Sequence, residues 1–333
     1  MINELRDLAL ENMIFGLREK PEDFNEVALS VFDFQYNNTP VYRQFCDLIG
    51  VKHPQSFQEI PFLPIAFFKN KTVLNQDYKE IDCRVFKSSG TTGQTRSSHF
   101  VPFDDLYERS FLTHFIDVFG PIEDLVIFAL LPNYHQQGYS SLVYMVSKLI
   151  EKTNNPLSGF YLNEIEKLTQ EILNLKKSSK KRVVLFGVTY ALLDLAEKGF
   201  DFNHVTVIET GGMKGRRKEM LKSTLHDNLK SGLNLNSVQS EYGMTELMSQ
   251  AYLLEGLNFY CAPWMKVMIR DINDPFCYLH DGKTGGINVI DLANLYSCSF
   301  ISTQDLGVSN DGRFEVMGRF DNSDIRGCNL LVS

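Results

Sequence analysis

The sequence lacks the cysteine and histidine spacings that build metal sites. Its six cysteines are scattered over 333 residues without a C-x-x-C pair, and its seven histidines form no H-x-x-H or H-x-x-x-H spacing. Zinc modules need such close spacings, and small disulfide-stapled domains need a dense set of cysteines. The absences argue against a zinc module, a histidine-built metal site and a disulfide framework. They favour cysteines that pack as small hydrophobic residues.

Long runs of one kind of residue are also missing. The formal net charge is −8 and no block of five or more like charges occurs, so a basic surface for nucleic acid is not expected. The N-terminal segment mixes acids and bases and has no unbroken apolar stretch of the kind found in a signal peptide or membrane span. The composition predicts a globular cytoplasmic protein with no transmembrane segment and no nucleic-acid partner.

The first 70 residues or so are predicted to be mainly helical. Helical spacing of apolar residues predicts helices over Asn3–Gly16 and Phe24–Tyr36. The segment Ile60–Lys69 carries two prolines among large apolar residues, which predicts a packed, extended segment rather than a helix.

Beyond Phe100, short apolar runs alternate with segments of helical period. The predicted strands are Leu125–Leu131, Val183–Phe186, His204–Ile208 and Ser237–Ser240, and the predicted helices are Ser140–Glu151, Glu164–Lys176 and Gly215–Lys230. This alternation predicts an α/β fold with a mainly parallel sheet covered by helices.

After Pro263 the pattern changes to short strands separated by Gly, Asn and Asp turns, which predicts a smaller antiparallel β subdomain. The predicted strands are Lys266–Ile272, Ile287–Leu292, Phe300–Ser302 and Phe314–Met317. We therefore expect an α/β core over residues 1–262, a β-rich subdomain over 263–320 and a short tail over 321–333.

The stretch KSSGTTGQTRSS, Lys87–Ser98, has the composition of an anion-binding loop. Glycines let backbone N–H groups converge on one point, hydroxyls add donors, and Arg96 supplies a positive charge. It is not a Walker A loop, because Gly93 is followed by Gln94 rather than Lys-Ser/Thr. The alternative is a polar surface turn.

Five further segments follow in order: LPNYHQQG (Leu130–Gly138), ETGGMKGR (Glu209–Arg216), SEYGMTEL (Ser240–Leu247), STQDLG (Ser302–Gly307) and GRFD (Gly318–Asp321). Taken alone, each has a plain structural reading. His135 could be an ordinary histidine at a strand end, the two glycines after Thr210 a tight turn, and Asp305 a turn cap.

Together with the Gly-rich loop, these segments resemble the motifs of the adenylate-forming superfamily, in the same order. The resemblance implies an adenylate-forming domain that binds ATP and Mg²⁺ and activates a carboxylic acid. The implied phosphate ligands are Ser88, Ser89, Gly90, Thr91, Thr92, Gly93 and Arg96, the last standing where the superfamily has lysine. The implied acid-pocket residues are Tyr134, His135 and Gly138.

The same resemblance gives roles to residues from the later motifs. Gly211 and Gly212 would lie against adenine, Tyr242 would stack on it beside Glu241 and Gly243, and Asp305 would bind the ribose. Thr245 would offer a hydroxyl to phosphate, Glu246 would hold Mg²⁺, and Arg319 would contact ribose or phosphate. Asp321 stands at the superfamily's interdomain hinge.

Only twelve residues follow Asp321, so the C-terminal domain that swings in most superfamily members is not expected. Its absence, with IPFLPIAFFK, SSGTTGQT, ETGGMKGR and SDIRGCNL, makes the chain similar to the acyl-protein synthetases of bacterial bioluminescence, which resemble phenylacetate-CoA ligases. In that family an acyl group passes from acyl-AMP to a cysteine near the C-terminus, and Cys328 is the matching residue. The alternative for Cys328 is inert packing.

The sequence therefore predicts an acid ligase that forms the acyl-AMP of a fatty or aryl acid and passes the acyl group to Cys328. The final acceptor would be a partner protein, a reductase or CoA. A pocket wall for the acid is predicted at Tyr134 and Tyr139. Two rival functions remain: an acyl-CoA ligase that uses no enzyme cysteine, and a nucleotide-binding relative that has lost catalysis.

Overall fold

The computed structural model describes residues 6–79, 81–89, 95–132, 138–178, 181–211, 217 and 220–320. Among these residues, every helix is too short or too polar to cross a lipid bilayer. The cytoplasmic location stays a prediction.

The helices are concentrated in the first 70 residues and then alternate with strands. They are α1 (Leu8–Gly16), α2 (Phe24–Asn38), α3 (Pro40–Ile49), α4 (Phe67–Asn70), α5 (Asp104–Phe119), α6 (Ser141–Thr153), α7 (Ile165–Ser178), α8 (Thr189–Ala196) and α9 (Lys222–Leu233). Local sequence explains several helix ends. The Ser140 side chain caps α6 by accepting from the Val143 N–H at 3.3 Å, and Gly50 ends α3 in the left-handed conformation at φ +80°.

The strands are β1 (Leu63–Pro64), β2 (Arg84–Lys87), β3 (Ser98–Val101), β4 (Leu125–Leu130), β5 (Gly159–Phe160), β6 (Arg182–Val188), β7 (Val205–Thr210), β8 (Gln239–Tyr242), β9 (Ala251–Leu253), β10 (Phe259–Cys261), β11 (Met265–Arg270), β12 (Thr284–Asp291), β13 (Phe300–Asn310) and β14 (Arg313–Arg319). Twelve of these strands form one sheet, and β2 and β3 form a separate hairpin.

One half of the large sheet is parallel. Strands β5, β4, β6, β7 and β8 lie side by side with parallel pairing. Every residue of β4 is buried, as expected of a parallel strand covered by helices on both faces. The carboxyl ends of β7 and β8 lie next to each other, and ligands of open α/β sheets bind at this edge.

The other half is antiparallel and continues the same hydrogen-bonded sheet. Strands β9 and β10 join β8 to β14, and β13, β12 and β11 follow. The β13–β14 register places Asp305 opposite Arg319. Strand β1 pairs in parallel with β13 at Ile301 and Ser302, which ties the N-terminal region to the strand that carries Asp305.

The α/β class and most predicted elements are confirmed, with three corrections. The extended segment predicted over Ile60–Lys69 is wrong at its end, where α4 forms, because both prolines precede that helix. The helix predicted over Gly215–Lys230 begins only at Lys222, with Met220 and Leu221 outside it. Strand β13 extends to Asn310, so Asp305 lies within a strand and not at a turn.

The described cysteines are free thiols but are not uniformly buried. Cys46 and Cys298 are buried, Cys83 and Cys261 are partly buried, and Cys277 is exposed. The expectation of small buried residues therefore holds for two positions. Cys328 and the predicted tail lie outside the described residues. The predicted division at residues 262 and 320 stays a prediction.

Candidate functional site

The predicted anion-binding loop connects β2 to β3. We call the two residues at its ends, Ser88 and Ser97, the neck of the loop. Strands β2 and β3 pair antiparallel up to Lys87 and Ser98. The Ser88 N–H donates to the Ser97 carbonyl at 3.1 Å, and the Ser97 N–H donates to Ser88 Oγ at 2.9 Å. The loop thus leaves and re-enters the fold at a fixed point, which suits a phosphate-binding loop.

The loop itself is only partly described. Ser89 and Arg96 are exposed next to the neck, where they are free to meet an anion. Gly90, Thr91, Thr92 and Gly93 lie outside the described residues.

Three predicted nucleotide ligands from different strands lie in contact: Tyr242 at the end of β8, Asp305 within β13 and Arg319 at the end of β14. The Tyr242 hydroxyl donates to Asp305 Oδ2 at 2.9 Å, and Arg319 Nε donates to Asp305 Oδ1 at 2.8 Å. The Asp305 side chain is 8% exposed, whereas that of Arg319 is 73% exposed. Asp305 therefore lies at the base of the group with the guanidinium at its solvent side.

Glu246 adds a second carboxylate to this group. It is buried, and burial raises its pKa despite a hydrogen bond from Ser97 and the positive charges of Arg319 and Lys69. Ser97 belongs to the neck of the anion-binding loop, so Glu246 connects that loop to the Asp305 side. We refer to Tyr242, Glu246, Asp305 and Arg319 as the Asp305 cluster.

The turn after β7 reaches the same edge of the sheet. Gly211 has φ +81°, a left-handed conformation that favours glycine, and it is exposed. Gly212 lies outside the described residues. Gly243, which follows Tyr242, is exposed as well. Thr245 is partly buried, and its carbonyl accepts a hydrogen bond from within the protein.

Glu241 lies apart from the Asp305 cluster, although it precedes Tyr242 in the chain. Successive side chains of a strand point to opposite faces. The Glu241 carboxylate accepts a hydrogen bond from Thr210, and Tyr252 lies opposite it on β9. Burial raises its pKa to about 7 despite the Thr210 hydroxyl. The Glu241 carboxylate lies beside Gly243 rather than in the Asp305 cluster, and its role toward the nucleotide stays a prediction.

Two of the residues predicted for the acid pocket, Tyr134 and His135, lie outside the described residues. Gly138 is partly buried. Tyr139 is 61% exposed, with Lys87 Nζ 5.0 Å from its ring centre, and its carbonyl accepts from the Lys87 N–H at 2.8 Å. Tyr139 therefore packs beside the neck of the loop, and its role in the wall of the acid pocket stays a prediction.

The described residues contain no group of three or more His, Cys, Asp and Glu side chains able to hold a metal. Magnesium commonly binds one or two carboxylates together with phosphate oxygens. The buried Glu246 carboxylate, opposite the loop neck, fits such a site when a polyphosphate supplies the remaining ligands.

Sequence reasoning missed several buried residues behind the cluster. The segment Thr245–Ser249 is held by hydrogen bonds of 2.7–2.8 Å to three side chains, those of His99, Asp291 and Asn294. They belong to no motif that we identified, because they come from β3, from the end of β12 and from the turn after it. The only sequence signal for these three residues is that each is a polar residue next to apolar ones.

A family model described as Acyl-protein synthetase, LuxE matches residues 139–333, more than half of the chain. The chain belongs to this family. The match includes every predicted motif from Glu209 onward. It confirms the predicted resemblance and the assignment to acid ligases.

A relative from Vibrio harveyi supports the LuxE-family membership over nearly the whole chain. It is named Long-chain-fatty-acid–luciferin-component ligase and is 25% identical over 346 residues, covering 96% of this chain and 89% of the relative.

Solved structures show the same fold at low identity. A 2-hydroxyisobutyryl-CoA ligase in complex with 2-HIB-AMP and CoA aligns with a TM-score of 0.64 and 13% identity, covering 90% of this chain and 70% of the ligase. ATP-bound MatB from Rhodopseudomonas palustris aligns with a TM-score of 0.52 and 18% identity over 71% of this chain. The chain spans 47% of MatB, about half its length. These likenesses confirm the adenylate-forming fold class.

Proposed function

We propose that this LuxE-family chain uses ATP to convert a long-chain fatty acid into acyl-AMP and then transfers the acyl group through Cys328 to an acceptor. The observation that carries the proposal is the Asp305 cluster. Its carboxylates, hydroxyl and guanidinium meet the neck of a hydroxyl-rich loop, within a chain of the acyl-protein synthetase family.

The first half-reaction joins the acid to the nucleotide. A carboxylate oxygen of the acid attacks the α-phosphorus of ATP, and the bond to the bridging oxygen of pyrophosphate breaks. Little of this chemistry needs a proton, so the protein acts mainly by positioning the reactants and stabilising charge. Ser88, Ser89 and Arg96 would contact the phosphates beside Gly90–Gly93, and Thr245 would add a hydroxyl.

The nucleoside would lie across the Asp305 cluster. Each Asp305 oxygen already accepts one hydrogen bond, and a carboxylate oxygen can accept a second, so the ribose hydroxyls have acceptors available. Tyr242 would border the adenine site. The centre of its ring lies 5.2 Å from the centre of the Phe314 ring. Gly211 and Gly212 would let the backbone approach the base, and Arg319 would contact ribose or phosphate.

Glu246 is the residue that would hold Mg²⁺. When bound, the ion would neutralise polyphosphate charge and keep pyrophosphate in position to leave. The Glu246 carboxylate is buried and its pKa is raised, so a divalent cation would relieve an unfavourable charge there.

The second half-reaction is transfer of the acyl group. The Cys328 thiolate would attack the acyl carbonyl carbon, the bond from that carbon to the AMP oxygen would break, and AMP would leave. The resulting thioester would pass to a partner protein, a reductase or CoA. The long-chain acid is inferred from the name of the Vibrio harveyi relative.

The test is acid-dependent exchange of pyrophosphate into ATP, followed by mass spectrometry of the protein. Chain lengths from octanoate to palmitate and a set of aryl acids would be compared. We expect exchange that is fastest with a long-chain acid, and an acyl adduct on Cys328 that is absent in Cys328→Ser. Exchange without an adduct would favour a CoA ligase with no enzyme thioester. No exchange with any acid would overturn the proposal.

A further inference from the structure

The segment that carries Thr245 and Glu246 has no regular secondary structure. Between β8 and β9, residues 243–250 form turns and loops. Much of this segment is buried, including Glu246, Ser249 and Gln250. Buried backbone N–H and C=O groups need hydrogen-bond partners, and no neighbouring strand provides a ladder here.

Side chains provide the hydrogen-bond partners for this backbone. His99 Nδ1 lies 2.8 Å from the Thr245 carbonyl oxygen, and Asn294 Nδ2 donates to the Glu246 carbonyl at 2.8 Å. Two consecutive carbonyls are therefore held by two side chains from different parts of the chain. Both side chains are buried, with each residue 1% exposed.

The two side chains also contact each other, in an orientation that the backbone fixes. Asn294 Nδ2 donates to two carbonyls, those of Glu246 and Cys298, both at 2.8 Å. Carbonyl oxygens only accept, so the amide nitrogen faces them and Oδ1 faces His99 Nε2 at 2.9 Å.

Asp291 holds the next part of the segment. One of its oxygens accepts from the Met248 and Ser249 N–H groups at 2.7 and 2.8 Å, and the other accepts from Ser249 Oγ at 2.6 Å. Asp291 is completely buried and is the last residue of β12, whereas Asn294 lies in the turn that follows this strand. Glu246 is thus flanked on both sides by fixed backbone.

His99 also connects this support to the anion-binding loop. It lies on β3, two residues after Ser97, whose hydroxyl bonds Glu246. The Phe68 ring packs edge-on against the imidazole, with ring centres 5.8 Å apart. A shift of the loop neck would therefore move the partner of the Thr245 carbonyl.

We propose that His99 and Asn294 are positioning residues that set the place of Thr245 and Glu246 relative to the anion-binding loop, and so control use of the ATP–Mg²⁺ complex. This inference rests on the function proposed above. Neither residue needs to touch substrate. They act through two backbone carbonyls, and a displacement of about 1 Å at a reacting group can cost on the order of 100-fold in rate.

Substitutions of His99 can test its contact with the Thr245 carbonyl and its contact with Asn294 separately. Two acceptor oxygens face the ring, while a neutral imidazole carries one N–H. Burial lowers the pKa of His99 to about 4, so the ring is neutral at pH 7. His99→Asn can place an amide N–H near the position of Nδ1, His99→Gln near that of Nε2, and His99→Leu removes both.

The experiment measures acid-dependent ATP–pyrophosphate exchange for the full chain and these three variants, as a function of ATP and Mg²⁺. Rates are normalised to the folded fraction from a thermal melt. The control is His114→Leu, which removes another buried histidine, on α5 and packed 5.3 Å from the Tyr252 ring, away from the Asp305 cluster.

We expect His99→Leu to lower kcat by about 10- to 100-fold and to raise the Mg²⁺ concentration for half-maximal rate. His99→Asn should recover most of the loss, because its amide N–H can donate to the Thr245 carbonyl. His114→Leu should change neither kinetic quantity and should not lower the melting temperature, because both ring nitrogens of His114 are buried without a hydrogen-bond partner among the described residues. If His99→Leu fails to fold, His99→Gln and Asn294→Asp serve, with the same expected rise in Mg²⁺ requirement.

Unchanged normalised kinetics in His99→Leu, or equal losses in His114→Leu, would overturn the positioning role. A wild-type chain without any exchange would instead overturn the proposed function. The two failures are therefore distinguishable.

Discussion

Two buried carboxylates near the ends of neighbouring strands have opposite surroundings. Glu209 on β7 accepts from Thr189 at 2.5 Å, from Lys222 at 2.8 Å and from Ser240 at 3.0 Å. Burial would raise its pKa, but Lys222 and the two hydroxyls outweigh that effect and lower it. Among the described residues no lysine forms an ion pair with Glu246; Lys69 and Arg319 lower its pKa only through their charges, and burial outweighs them and raises it.

The difference distinguishes a carboxylate whose charge the protein pairs by itself from one that is proposed to bind a ligand. In the Glu209 network, formed by Glu209, Thr189, Lys222 and Ser240, the protein itself completes the pairing. In the Asp305 cluster, pairing is incomplete and one member, Arg319, is largely exposed. Perturbed, incompletely paired groups at a strand edge mark functional sites more often than closed networks do.

The largest expected effect is at Glu246. Glu246→Gln removes the charge that would hold Mg²⁺ while keeping the shape of the side chain. We expect acid-dependent pyrophosphate exchange to fall by about 100- to 1000-fold. The melting temperature should stay the same or rise, because a buried charge with a raised pKa is removed. Exchange within threefold of the wild type would contradict the assigned role.

The matched change in the Glu209 network should act on stability instead. Lys222→Met leaves the Glu209 carboxylate buried without its cation, at a cost of about 3 kcal/mol in the free energy of unfolding. The double variant Glu209→Gln with Lys222→Met should recover much of that loss in urea denaturation. Exchange per folded molecule should be unchanged. A loss below about 1 kcal/mol would show that the network is not a stabilising one.

Within the Asp305 cluster, Asp305→Asn should weaken nucleotide use. The amide keeps the shape but loses the charge and half of the acceptor capacity. We expect KM for ATP to rise by about 10- to 50-fold, with a smaller change in kcat, since one or two charge-assisted hydrogen bonds are lost. Asp281→Asn, an exposed carboxylate on the same β-rich region, is the control. A rise in KM for the acid but not for ATP would move Asp305 out of the nucleotide site.

Glu241 offers a test through pH. Its folded-state pKa of about 7 lies above the usual 4.5 of an unfolded glutamate, so the folded state holds the proton more tightly. Its contribution to stability is therefore present at low pH and is lost as pH rises through 7, by about 2 kcal/mol between pH 5.5 and 8. In Glu241→Gln this part of the pH dependence should disappear from urea denaturation curves. An identical pH dependence in both proteins would contradict the burial of Glu241.

The smallest effect is expected for Tyr242→Phe. The change removes the hydroxyl that donates to Asp305 at 2.9 Å but keeps the ring. A rise of about threefold in KM for ATP is expected from one lost hydrogen bond. Tyr242→Ala should be more severe, because the ring proposed to face adenine is lost as well, and equal effects would argue against stacking.

The sequence predicted the α/β order because its signals are local. Buried parallel strands are apolar runs, as in β4, and the motifs keep their residues close in the chain. The contacts between motifs, such as Tyr242 with Asp305 and Ser97 with Glu246, depend on strand order that no local pattern encodes. The same reason hides His99 and Asn294, which are 195 positions apart.

Glu241 shows what a motif leaves open. Its place beside Tyr242 in a motif suggested a shared ligand, but strand alternation turns the two side chains to opposite faces. Tyr139 was assigned to a pocket from its apolar ring, although that ring is exposed beside Lys87. In both cases the sequence identifies the residue type but not the direction in which the side chain points.

The central claim is that the substrate carboxylate attacks the α-phosphorus of ATP at the Asp305 cluster. The most direct measurement uses a long-chain acid labelled with ¹⁸O in both carboxyl oxygens and follows the label by mass spectrometry. We predict AMP that carries one ¹⁸O atom, because the attacking oxygen stays on phosphorus when the acyl group departs, and no such AMP with Glu246→Gln. Unlabelled AMP, or ADP as the product, would contradict the account.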